Sequence, residues 1–158
     1  MSAITSATAW IESTQIARTV GGSMWLIASL SATHVIGYAL VMGGGMLASL
    51  GWLGLLGPRL PVAGLTRAAN GGIVLGMVIS VVTGMLLVSW KAAAAAANGI
   101  FQVKMLLMVL AVAFHFACQR RVIALSGSGS SLPRSLGGVG LALWLGLAVA
   151  GSAFILLE

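Results

Sequence analysis

The sequence predicts an all-α integral membrane protein, a four-transmembrane-helix up-down bundle preceded by a short N-terminal amphipathic helix. Three observations predict it. Of 158 residues, 59% are hydrophobic and 6% charged, with a mean hydropathy of +1.11, whereas soluble domains carry about 25% charged residues. Four apolar stretches are long enough to cross a bilayer, each needing about 20 residues. The period-two alternation of a spanning β-barrel is absent.

In residues 2–20, Ile4, Ala7, Ile11 and Thr14 recur at helical spacing with Trp10 beside them. This pattern reads as a helix lying at the membrane surface, with a frayed terminus as the alternative. Glu12 and Arg18 interrupt any apolar signal region, and no basic segment precedes it, so a cleaved signal is not expected. The first span covers residues 24–50, and Gly51-Trp52-Leu53 can prolong it until Gly57-Pro58. A loop with Arg59, Pro61 and Arg67 follows. The second span is expected over residues 71–95, with the alanine run Ala92–Ala97 prolonging it until Asn98-Gly99. A third span over 100–119 ends at Arg120-Arg121. Residues 126–131, all Ser and Gly, read as a flexible linker. The fourth span covers 136–157, and residues 1–158 form a single membrane domain.

The formal charge of +6 comes from eight scattered Lys and Arg against Glu12 and Glu158. No basic run beyond Arg120-Arg121 supports nucleic-acid binding. Loops one and three carry Arg59, Arg67, Arg120, Arg121 and Arg134, against Arg18, Lys91 and Lys104 on the other side. The positive-inside rule then puts both termini in the periplasm of a bacterium, with the chain in its inner membrane. Trp25 and Trp90 would mark the outer interface and Trp52 the inner one. A single cysteine, Cys118, excludes an intrachain disulfide and a thiolate zinc cluster.

Two histidines occur, His34 in the first span and His115 in the third. An ionisable side chain at bilayer depth is costly and marks a functional candidate. Counted from Trp25 and Lys104, they lie at about 14 and 16 Å depth, on spans that are diagonal in an up-down bundle. That points to both imidazoles as axial ligands of one haem b. Gly37, Val41 and Gly45 continue the small apolar face after His34, and Ala111 lies a turn before His115. Gly72, Gly76, Ser80 and Gly84 form a smooth stripe on the second span, suited to close helix packing or to a flat macrocycle. Arg67, Arg120 and Arg121 could pair with propionates, or snorkel as topological anchors. Each histidine also has a packing account, with Thr33, Ser31 and Ser80 as hydrogen-bond partners.

Copper is the rival metal, since Met42, Met46, Met105 and Met108 offer soft thioethers. They form no tight cluster beside either histidine, and methionine is a routine filler of apolar helices. No carboxylate lies inside a span and no Walker loop or Ser-His-Asp set is visible, so a catalytic site of the chain's own is not expected. Asn70 and Gln102 stand near span boundaries without an evident catalytic partner.

Four segments carry a resemblance: Trp10-Ile11-Glu12-Ser13, Thr33-His34-Val35-Ile36-Gly37-Tyr38-Ala39-Leu40, Phe101-Gln102-Val103-Lys104-Met105-Leu106-Leu107, and Phe114-His115. Up to about Arg121 the chain resembles a family of small four-span proteobacterial membrane proteins of unassigned activity. The resemblance implies histidines at both positions acting as a functional pair. More distantly, the plan is similar to b-type membrane cytochromes and copper-resistance membrane proteins, a likeness of fold alone. The reading favoured by the sequence is a b-type cytochrome subunit with one bis-histidine haem, moving electrons within a larger redox or respiratory assembly. Its partners would be the lipid bilayer and other redox subunits. Quinone is a further candidate near Trp90, Lys91 and Lys104. The alternatives are a cofactor-free structural or assembly subunit and a copper or small-solute transporter.

Overall fold

A computed structural model describes residues 3–57, 60–126, 128 and 131–156. The described residues form seven helices and no strand: α1 (Ala3–Ser13), α2 (Gln15–Gly21), α3 (Met24–Leu53), α4 (Val62–Ser89), α5 (Ala92–Ala97), α6 (Gly99–Leu125) and α7 (Leu132–Leu156). Four of them, α3, α4, α6 and α7, are long and apolar enough to cross a membrane. They match the four expected spans with shifted ends, and the second stops at Ser89, short of residue 95. The second begins at Val62 instead of Gly71, and the fourth at Leu132 instead of Leu136. Arg59, Leu157, Glu158 and part of the 126–131 linker lie outside the described residues.

Local chemistry sets the boundaries. Ser23 caps α3 by accepting from the Leu26 N–H (3.4 Å), and Asn98 caps α6 by accepting from the Phe101 N–H (3.0 Å). Such caps satisfy amide groups that the first helical turn leaves unpaired. The α3 helix stops at Gly54, whose φ of +78° is the left-handed region that closes a helix. Gly54 and Leu55 return N–H bonds to Gly51 and Leu50.

The N-terminal segment forms two helices, not one. Thr14 breaks it, accepting from the Ala17 N–H (3.2 Å) to start α2. The alanine run likewise does not prolong the second span, because the backbone leaves helical geometry at Lys91 (φ −136°, ψ 40°). That break exposes the start of α5, and the Glu12 carboxylate accepts from the Ala93 N–H at 2.8 Å. Thus α1 lies on α5 while α2 touches α3 and α4. Trp10, Met24 and Trp25 remain exposed around this layer. Glu12→Ala is expected to lose about 1 kcal/mol, as for other helix caps. Faster amide exchange confined to α1 and α5 would check it.

Along the bundle, α3 packs over most of its length on α4 and on α7, and α7 packs on α6. Helix α6 meets α3 and α4 at few positions. The central core is Val41, Met42, Ile73, Ala111, Trp144 and Leu147, all buried. A second cluster nearer the arginine-bearing end joins Ala48, Trp52, Ala69 and Val122.

Candidate functional site

Polar chemistry inside the spans is concentrated at two places, both using α4 as partner. On α3, half-buried His34 has Nδ1 3.1 Å from Thr83 Oγ1. Thr83 gives its own hydroxyl proton to the Ile79 carbonyl (2.7 Å), so its oxygen accepts from the imidazole N–H. The Ser80 backbone is a further hydrogen-bonding neighbour of the ring. Gly84 leaves room for the ring, since a Cβ there would lie 3.1 Å from His34 Cε1.

The second cluster is deeper in protein. His115 is 1% exposed. Asn70 donates through Nδ2 to Gln119 Oε1 (2.6 Å), leaving its Oδ1 to accept from His115 Nε2–H (2.8 Å). His115 Nδ1 carries the lone pair and has no hydrogen-bond partner among the described residues. The Trp52 ring stacks on the imidazole at 5.2 Å and 10°, with Phe116 and Trp144 edge-on at 5.2 and 6.5 Å. Trp52 donates through Nε1 to Thr66 Oγ1 (3.0 Å), which donates in turn to the Val62 carbonyl. Trp52 is thus an internal residue, 3% exposed, not a marker of the inner interface. Trp52→Phe keeps a stacked ring but loses that bond, and should cost about 1 kcal/mol in denaturant unfolding.

The structure does not bring the two histidines together. Their partners on α4, Thr83 and Asn70, are 13 residues apart, or about 20 Å along the helix. A second measure agrees. Lys104 Nζ lies 5.2 Å over the Tyr38 ring, one turn beyond His34. The ammonium of half-buried Lys104 therefore reaches a level deeper than His34, and Lys104 does not mark the outer boundary. Counting depth from it makes His115 seem too shallow, which is why the sequence suggests matched depths.

The small and apolar residues expected at a haem pocket are packed between helices. A Cβ on Gly37 would meet Ser80 Oγ at 2.7 Å, and one on Gly76 the Gly37 carbonyl at 2.5 Å. The space over Gly45 is filled by the Trp144 indole. Val41 and Ala111 are fully buried in the core between the two imidazoles. Arg67, Arg120 and Arg121 are exposed at the end beyond His115. No group of three His, Cys, Asp or Glu among the described residues could hold a metal ion. Sequence reasoning missed Asn70 and Gln119 as partners. The available signal was His115 and Gln119 four residues apart on one helix face, the latter a rare amide in an apolar span. Comparison with protein-family models, curated proteins and solved structures gives no match to this chain.

Proposed function

We propose that this chain is a cofactor-free structural subunit of a larger membrane assembly, with its two histidines acting as interhelical clamps. The observation that carries this reading is that each imidazole is tied to α4, about 20 Å from the other, with packed core between them. The His115–Asn70–Gln119 set joins α6 to α4 where those helices otherwise meet little. In this reading the chain is an up-down bundle in a bacterial inner membrane. Its arginine-bearing end faces the cytoplasm and both termini are periplasmic. The resemblance to four-span proteobacterial proteins with paired histidines is compatible with two clamps as well as with two ligands.

One observation favours a second reading, a b-type cytochrome subunit. His115 gives its Nε2–H to Asn70 and keeps Nδ1 without a hydrogen-bond partner among the described residues, an arrangement common among metal-ligating histidines. At this separation each histidine would ligate a different haem, with other chains supplying the remaining contacts. A reduced-minus-oxidised spectrum and iron analysis of the purified protein with its native partners separate the readings. The structural reading expects no b-type α-band and no iron. A band lost in His34→Ala or His115→Ala would overturn it.

A further inference from the structure

The seam between α4 and α6 ends in a cluster of donors without acids. Among the described residues Glu12 is the sole carboxylate, and it caps α5 in the N-terminal layer. Asn70 lies 19 residues before the end of α4, and Gln119 lies 20 residues after the start of α6. The two helices therefore run back along each other from α5, and Arg67 and Arg120 share one end. On α4, Arg67, Asn70, Val74, Met77 and Val81 fall within about 80° of one another at 3.6 residues per turn. They form one stripe, headed by an arginine and continued by apolar side chains. Lower down, the exposed apolar face of α4 carries an open depression of about 320 Å³ lined by its own Met77, Val78, Val81 and Val82.

On α6 the flank facing α4 is fixed by Gln119, which accepts from Asn70. Arg120 turns toward that flank, about 140° from His115, and Arg121 toward the opposite one. Both are exposed. The Gln119 Nε2 amide has no protein acceptor among the described residues. The seam thus offers two guanidinium groups and an amide donor at its mouth, with an apolar track beneath.

We propose that this seam holds one anionic phospholipid. Its phosphate meets Arg67, Arg120 and the Gln119 amide, and an acyl chain lies down the Val74–Val82 side of α4. Positive clusters at the mouths of interhelical clefts recognise acidic headgroups this way. The occupant is a lipid because the donors stand at the head of an exposed apolar stripe on α4, which a free phosphate would leave uncovered. This inference does not depend on whether either histidine binds haem.

The test uses the delipidated full chain in neutral detergent, titrated with phosphatidylglycerol or with phosphatidylcholine of the same acyl chains. Thermal midpoint and native mass spectrometry are the readouts. Phosphatidylglycerol should raise the midpoint and remain bound as a single adduct, and phosphatidylcholine should do neither. Arg67→Gln/Arg120→Gln should weaken binding about thirtyfold, with an unchanged lipid-free midpoint, whereas Arg121→Gln should bind as the parent does. Val78→Trp, which fills the depression, should also lose the adduct. Equal responses to the two lipids, or a double variant that binds like the parent, would overturn the proposal. So would equal protection by glycerol 1-phosphate alone, or a lowered lipid-free midpoint in the double variant.

Discussion

Replacing Gly76 with Ala is expected to cost about 3 kcal/mol, the upper part of the range for overpacked interiors. An added Cβ would sit 2.5 Å from the Gly37 carbonyl oxygen and 2.8 Å from the Val41 amide nitrogen. Both obstacles are backbone, so no side chain can rotate away. Relief requires α3 and α4 to separate along their whole shared face, and that face also holds the His34–Thr83 bond. Without a hydrophobic force between helices in lipid, close packing is itself a main source of cohesion. Unfolding in graded denaturing detergent should therefore shift strongly. Gly72→Ala is the internal comparison: its nearest obstacle is the Leu40 carbonyl at 3.7 Å, ordinary contact, and its midpoint should barely move.

Asn70→Ala carries the second large expected effect, about 2–3 kcal/mol. The amide is the centre of a two-bond chain, so its loss strands the His115 Nε2–H and the Gln119 carbonyl oxygen together. Single interhelical bonds in membranes are worth about 0.6 to 1.7 kcal/mol. The doubled loss and the burial of His115 place this variant above that range. A double-mutant cycle with His115→Ala should show strong coupling, because either change removes the same bond. Additive effects would mean that the bond contributes little. Thr83→Val, which removes only one partner of half-buried His34, should cost less than Asn70→Ala.

The four spans were legible because lipid demands long apolar helices, and the chain's composition meets that demand without ambiguity. The stripe of Gly72, Gly76, Ser80 and Gly84 was legible too, as a face for close approach to the neighbouring helix. Depth was not legible. It depends on which residue sits at the boundary, and Lys104 reaches over Tyr38 instead of marking the edge. Trp52 misleads in the same way: a tryptophan near a helix end suggests an interface, yet here its N–H is satisfied by Thr66 and its face by His115. The partners of both histidines lie 45 and 49 positions away in sequence. No local pattern could select Thr83 and Asn70 from the polar residues of α4. Nor could composition reveal that an all-alanine run would break away as α5, since alanine favours helix wherever it lies.

The Glu12 contact has a consequence for the order in which the protein is made. Its acceptor oxygens wait for an amide 81 positions later in the chain, which at ordinary rates of synthesis means a delay of about 4 to 16 s. Through that interval α1 lacks α5, the helix it lies on, while α3 and α4 leave the ribosome and enter the bilayer. Helix α1 is thus a late addition built from the earliest residues, a seal set on the bundle after its second span is in place.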